Sequence, residues 1–568
     1  MKATAWTVFK GTAPEPMDVE ILGVMRNARG PGQDIILVQL RGAKPEYTGV
    51  VAGMSGSPVY IGDKLLGSLS FRIGQFSKDP IAGITPIKQM LEVRDMPIDE
   101  GSGIRGQGSG NTEASLQAPG QEQMQAMETP LVMSGFGPEA IRLWQQRMAG
   151  TGLDVVSAGG VGGASTPAGT PDGAPDDDPD AISTTTTVVP GSAVSMQLVR
   201  GDMEIAATCT VTYVDPKQLL ACGHPVLQAG PVSLPMTATE VIATLASPMN
   251  AFKIVNTGAT IGAFTEDRES AIRGVLGAKA HMIPVRISIH GPSGEKTINV
   301  EVLDQPSLTS QAVLVTLFNA LIENNQSTED TSYHLTGTID LEGYPPSPLD
   351  LWAPAGEGAN ASMLIALLAG DRFSRVYSSN DRRGAVRKIN LEVEVVPHRV
   401  LVELAGARLI SSNIVHAGDT VMVEATLHPW RQPARNVRIS VKLPARLGSG
   451  NLRMLVSDAG TLDRTLDQPR AAGHGADLET VLAQARQTHP ADRIYVTLLV
   501  PETQAGISGQ TLTSLPLSVA NVLEPQRAAQ EVSLNGESAV VSAEAPADGV
   551  LAGLQILNLR IEPGGGLN

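Results

Sequence analysis

Short apolar runs, broken at close intervals by glycine, proline and Asp/Lys turns, fill the first hundred residues and restrict this chain to β architecture. Runs at 19–24, 34–40, 50–51, 59–61 and 65–71 have the length of strands and are too short for ordinary helices. Gly62-Asp63-Lys64 reads as a hairpin turn between two of them. Glycine (59) and proline (39) stay frequent through all 568 residues, which disfavours helix bundles. Aromatic residues are only 3%, so the cores must be built from Val, Ile, Leu, Ala and Met. A chain this long exceeds one hydrophobic core and should divide into domains.

Four segments follow from the pattern. Residues 1–95 are β-rich and end in a short helix at 87–93. Residues 96–190 read as linker with one amphipathic helix at 138–149. Pro138-Glu139 opens that helix, and Ile141, Leu143, Trp144 and Met148 supply its apolar face. The linker also holds Asp172, Asp176, Asp177, Asp178 and Asp180, which among prolines read as a solvated stretch and not as a calcium loop. Residues 191–397 form a second β-rich block, with strands at 194–199, 205–214 and 218–222 and a hairpin at 282–289 and 296–303. Segments 237–244, 314–323 and 361–369 have a helical period. Residues 398–568 alternate with period two at 399–404, 420–427 and 437–443, the pattern of an immunoglobulin-like β-sandwich, with a further strand-like run at 550–561.

Composition excludes some partners. A net charge of −16 argues against nucleic-acid binding, which needs a basic patch. No apolar run approaches the ~20 residues of a transmembrane helix. Met1-Lys2-Ala3-Thr4-Ala5-Trp6 reads as the interior of a folded element and not as a leader. The expectation is an exported protein whose signal lies upstream of this start, with a cytoplasmic protein as the alternative. Cys209 and Cys222 flank a hairpin whose turn is Asp215-Pro216-Lys217, and either a cross-strand disulfide or two buried thiols fits them.

Two motifs carry chemistry. Gly53-Met54-Ser55-Gly56-Ser57-Pro58 sets a serine between glycines in a tight turn that follows one apolar strand and precedes another. Glycines allow the backbone conformations and the close approach that a nucleophile turn needs, and neighbouring N–H groups can face a developing oxyanion. Ser55 is the candidate nucleophile and Ser57 the second choice. Its base should be a histidine. Of nine, His224 stands out, at the end of an apolar strand between Gly223 and Pro225.

Thr48-Gly49-Val50-Val51-Ala52-Gly53-Met54-Ser55-Gly56-Ser57-Pro58-Val59-Tyr60, with Gly62-Asp63-Lys64-Leu65-Leu66-Gly67, resembles the SpoIVB-type serine peptidases, the chymotrypsin-like sporulation peptidases and their bacterial relatives. Asp215-Pro216, Gly223-His224 and Pro284-Val285 extend the resemblance to about half of the chain. It implies a chymotrypsin-like double β-barrel with Ser55 as nucleophile and His224 as base. It also implies an oxyanion hole from the Gly53, Met54 and Ser55 backbone amides, a protein or peptide substrate, and neither metal nor cofactor. The order is swapped, because in that family the histidine precedes the serine, so the barrel would be built from two separated halves. The family's catalytic aspartate precedes the serine at a spacing that falls here on Leu40. Asp267 is the best substitute, and Asp215 reads as a turn residue. The expected function is a serine endopeptidase of the bacterial cell envelope. The alternative is an impaired or self-processing peptidase-like scaffold that binds envelope proteins or glycans.

Overall fold

The computed structural model describes residues 1–73, 79–97, 124–149, 151, 153, 155–158, 182–183, 185–247, 251–323, 329–356, 360–378, 385–467, 478–486, 488–507, 510–528 and 532–563. The acidic run at 172–180 and most of the expected linker lie outside them. The chain is mainly β and separates into two units, Met1–Val285 with Asn299–Asn319, and Arg286–Ile298 with Ala320–Asn568.

In the first unit, the short runs near the N-terminus become β1 (Lys2–Thr7), β2 (Glu15–Met25), β3 (Ile35–Arg41), β4 (Pro58–Ile61), β5 (Lys64–Ile73) and β6 (Ile81–Pro86). Helix α1 (Ala43–Thr48) precedes β4, and α2 (Ile87–Arg94) follows β6 where a short helix is expected. Antiparallel pairing runs β4-β1-β2-β3-β6-β5, and β5 pairs back to β4, which closes a six-stranded barrel. Closure removes the strand edges, and alternate residues fill the interior. Ala3 and Ala5 from β1, Met17 and Val19 from β2, and Val38 and Leu40 from β3 share one core. Leu40 is fully buried there opposite Val19, so the place where the resemblance expects an acid is barrel interior.

Residues 124–148 are part of this unit, not linker. β7 (Met124–Ala126) pairs with β5. β8 (Leu131–Ser134) pairs with a later strand, as described below. Helix α3 (Pro138–Met148) buries Ile141, Leu143, Trp144 and Met148, the face expected from the sequence, with Pro138 opening its first turn. β9 (Val155–Ala158) runs parallel to β8.

A second ring follows, of β10 (Ala193–Gly201), β11 (Glu204–Val214), β12 (Gln218–Ala221), β13 (Gly230–Leu245), β14 (Phe252–Arg268) and β15 (Ala271–Leu276). Antiparallel pairing runs β10-β13-β14-β15-β12-β11 and returns to β10, so this ring also closes with six strands. β8 pairs with β11 outside the ring. Segment 237–244, expected as helical, lies within β13. Thr237, Thr239 and Val241 are buried, and their neighbours Ala238, Glu240 and Ile242 are less so, which is period two. Threonine, valine and isoleucine there suit a strand, and pairing to β14 overrides the weak helical period. The first unit also takes in the start of helix Thr309–Ile322, which covers the helical period at 314–323.

The second unit contains an antiparallel sheet of strands Ser347–Ala353, Ser332–Leu341 and Val386–Val396, and the helix Ala361–Tyr377 expected at 361–369. Beyond it, two sheets share one core. The first orders Arg435–Lys442, Thr420–Pro429, Leu401–Leu409 and Val550–Ala552. The second orders Ile414–Val415, Leu554–Ile561, Gly450–Ser457, Arg493–Val500 and Ser538–Pro546. Val402, Leu404, Val423 and Leu427 from one face meet Leu452, Met454, Val496 and Leu559 from the other. The period-two segments thus build a sandwich, and the tail supplies a strand to each sheet.

Candidate active site

The Gly53–Pro58 turn, with the candidate nucleophile Ser55, extends from the first barrel and is held by the second. Met54 is fully buried in the first barrel's core and anchors the turn. Every carbonyl from Ala52 to Gly56 accepts a hydrogen bond. Ala52 O accepts from the Lys253 backbone N–H at 3.2 Å and Ser55 O from that of Thr210 at 2.8 Å. Gly53 O accepts from Thr210 Oγ1 at 2.8 Å, and Gly56 O from Thr212 Oγ1 at 2.7 Å. Met54 O accepts from both the N–H and the Oγ of Ser57, at 2.9 and 2.6 Å.

That pattern sorts the candidates. Ser57 spends its hydroxyl on bracing the turn. Ser55 is fully buried and its Oγ has no hydrogen-bond partner among the described residues. The Met54 N–H goes to Val51 O at 3.0 Å and that of Gly56 to Leu69 O at 2.7 Å. Met54 is therefore not available to an oxyanion hole, and among the described residues the amides of Gly53 and Ser55 are the donors left over. Pinned carbonyls with free amides between them are what an oxyanion site requires.

The histidine turn hangs from the second barrel and packs on the first. After β12, Cys222 and Gly223 take positive φ values of 67° and 75° and reverse the chain. A Cβ on Gly223 would lie 2.1 Å from Ser70 Oγ and 2.2 Å from Ser68 Oγ, both on β5. Gly223 O accepts from Thr85 Oγ1 on β6 at 2.7 Å. Gly56 answers from the other side: with φ 93°, a Cβ there would lie 1.9 Å from Thr210 O and 2.5 Å from Cys222 N. The two turns are thus in direct contact, each glycine standing where no side chain fits.

His224 is 2% exposed. Its Nδ1 lies 2.8 Å from Pro225 O. A carbonyl only accepts, so Nδ1 carries the ring proton and Nε2 keeps its lone pair. Nε2 is buried without a partner, as is Ser55 Oγ, so the two are not hydrogen-bonded to each other. Burial drives the imidazole down to about 4, the bond to Pro225 opposes this, and the Arg29 charge adds to it. The ring is neutral at pH 7, in the tautomer a general base needs.

Asp267 makes no hydrogen bond to the ring. Its Oδ1 accepts from Val226 N–H at 3.0 Å and its Oδ2 from Leu227 N–H at 2.5 Å, so it organises the loop after His224. Burial raises its pKa against the pull of these main-chain donors. The partner of Nδ1 is the Pro225 carbonyl, where the resemblance expects an acid. Asp215 caps its own turn, accepting from Lys217 and Gln218 N–H at 3.0 Å each.

Three further features lie around the turns. Cys209 and Cys222 form a disulfide that ties Thr210's strand to the residue before Gly223, where Cys222 N–H also bonds Thr210 O at 3.2 Å. Replacing both by serine is expected to cost about 3 kcal/mol for a closed loop of this size, read as a lower urea midpoint. Arg29, from the β2–β3 loop, lies 4.8 Å from the Phe71 ring centroid, pairs with Glu269 and donates to its carbonyl at 3.2 Å. That contact straps the first barrel's loop to the β14–β15 turn of the second. Lys253, at the start of β14, is fully buried beside Gly53. No sequence motif includes it. A lone lysine inside Ala251-Phe252-Lys253-Ile254-Val255 was the signal.

Among the described residues no group of three or more His, Cys, Asp or Glu could hold a metal, and no helix is long and apolar enough to cross a membrane. Compared with known proteins, the chain matches no family model, no curated protein and no solved structure.

Proposed function

We propose that this chain is a SpoIVB-like serine endopeptidase, a chymotrypsin-like pair of barrels in which the first brings the nucleophile and the second the base. One observation carries the reading. A buried serine with a free hydroxyl sits in a turn whose carbonyls are all engaged, against a second turn that presents an unprotonated, unpartnered Nε2. Such groups are costly to bury unpaired, and active sites are where that cost is met.

In this reading Ser55 Oγ attacks the peptide carbonyl carbon and its proton passes to His224 Nε2. The carbonyl oxygen becomes an oxyanion held by the amides of Gly53 and Ser55. The Nδ1 proton stays on its bond to Pro225 O, so the imidazolium keeps its orientation. It then protonates the leaving amine, and the acyl-serine remains. Water attacks the acyl carbon as Nε2 takes its proton, the imidazolium returns that proton to the departing Ser55 Oγ, and the acid is released. The Cys209–Cys222 disulfide favours an oxidising compartment, which supports the cell-envelope location. We read the two-sheet sandwich as the immunoglobulin-like module that engages protein or glycan partners.

Burial favours a second reading. With Ser55 at 0% and His224 at 2% exposure, no substrate reaches them in this conformation, as suits a self-processing or non-catalytic scaffold. A fluorophosphonate probe separates the two. The peptidase reading expects covalent labelling of the wild type and none of Ser55→Ala, with the adduct mapped to the Gly53–Pro58 peptide. An unlabelled wild type, or equal labelling of the variant, returns the chain to the scaffold reading.

A further inference from the structure

We propose that Lys253 is a positioning residue of the oxyanion site, holding Gly53 in place and supplying, as an ammonium, the positive charge against which the oxyanion forms. The proposal rests on the peptidase reading of Ser55. Residues 251–253 run along Ala52 in a parallel bridge, with Ala52 N–H donating to Ala251 O at 2.7 Å and Lys253 N–H to Ala52 O at 3.2 Å. The second bond orients the peptide plane that ends in the Gly53 N–H, one of the two free oxyanion donors. The side chain acts on the same glycine from the other side. Its Cδ and Cγ would lie 3.2 and 3.5 Å from a Cβ placed on Gly53, so they cover that face. Its Nζ lies 3.5 Å from Thr210 Oγ1, whose own proton goes to Gly53 O at 2.8 Å. Thr210 can therefore only accept from the ammonium, and a chain of donors runs from Lys253 into the nucleophile turn.

A structural role alone leaves this lysine unexplained. Nζ has one short bond, to Thr7 Oγ1 at 2.8 Å. Among the described residues no carboxylate pairs with it. The hydroxyls of Thr7 on β1 and Thr210 on β11 face it, with Gly53 and Pro130 against its stem. An unpaired ammonium in an apolar interior costs stability that any aliphatic side chain would avoid. It gains a counter-charge only when an anion forms nearby, and the predicted reaction forms one at the Gly53 and Ser55 amides. Such a charge in a low-dielectric site favours the transition state over the ground state.

The test follows the rate of Ser55 labelling by a fluorophosphonate against pH. Two groups frame the profile. His224 must be neutral, and burial places its titration at about 4, with Arg29 and the carboxylate of Asp267 nearby. Lys253 must be charged, and burial brings its titration down to about 7. Wild-type labelling should rise through about pH 4, hold, and fall as pH passes about 7. Burial raises Asp267 above the usual carboxylate range, so the lysine variant assigns the alkaline limb: a fall that persists in Lys253→Met belongs to another group. Lys253→Met should label about 10- to 100-fold more slowly at pH 6 and show no fall between pH 6 and 8. Its urea midpoint should exceed that of the wild type, because an apolar near-isostere replaces an unpaired charge. Thr7→Val removes the short bond to Nζ, and should move the wild-type alkaline limb to lower pH with Lys253 still in place.

Each other outcome overturns the proposal in its own way. Labelling that rises through pH 7 in the wild type and is lost in Lys253→Met makes the lysine the base. Profiles flat from pH 6 to 8 in the wild type and in Thr7→Val leave it a packing residue, with the peptidase reading intact. No wild-type labelling at any pH removes the peptidase reading and this proposal with it.

Discussion

His224→Gln should slow labelling of Ser55 by a fluorophosphonate about 10³-fold or more, whereas Asp267→Asn should slow it by no more than about tenfold. The first figure is about 4 kcal/mol of barrier, in the range that removal of a general base costs. Glutamine keeps most of the volume, so the loss reads the base and not a cavity. The second figure sets this site apart from an ordinary triad, where loss of the acid costs ~10⁴. The acid of a triad holds the ring's tautomer, and here Nδ1 is held by the Pro225 carbonyl, which no side-chain substitution removes. Asp267→Asn instead withdraws an acceptor from the amides of Val226 and Leu227, and should lower the urea midpoint by about 1–3 kcal/mol of stability. A 10⁴-fold loss of labelling in Asp267→Asn, with an unchanged midpoint, would reinstate it as the third member of a triad.

Gly56→Ala should cost about 4 kcal/mol or more. Two causes add. At φ 93° an L side chain is strained in any surroundings, and the new methyl would lie 1.9 Å from Thr210 O and 2.5 Å from Cys222 N. Both are main-chain atoms of the second barrel and cannot rotate away. Relief requires the serine turn to lift from the histidine turn, so stability and Ser55 labelling should fall together. Gly62→Ala is the control. Its φ is also positive, at 57°, but nothing lies within 4 Å of the new methyl, so it should cost about 1 kcal/mol and leave labelling unchanged. Equal effects at both positions would mean that the Gly56 contact does not hold the turns together.

The motif and the resemblance favour Ser55 over Ser57, and the hydrogen bonding supports that order: Ser57 braces the turn and Ser55 is unengaged among the described residues. Helix α3 was legible because Ile141, Leu143, Trp144 and Met148 repeat at helical spacing, and packing had only to accept that face. Residues 124–134 were not. Their fragments are too short to show a period, and they become strands only because β5 and β11 offer partners. Segment 237–244 misled for the related reason that eight residues can match two periods, and the partner strand chooses between them.

By itself the sequence determined the local chemistry of this protein: strand-length apolar runs, the glycines that turn the chain, and a serine and a histidine each set in a rigid reversal. Those are short-range properties, fixed by backbone sterics and side-chain type over a few residues. The tertiary structure alone decided which groups meet. Leu40 became barrel interior, Asp267 went to the amides of the loop, and the histidine Nδ1 found a peptide carbonyl. Lys253 and the Gly56 contact join parts of the chain that are distant in sequence. Their roles depend on two closed barrels docking turn against turn, which no local pattern encodes.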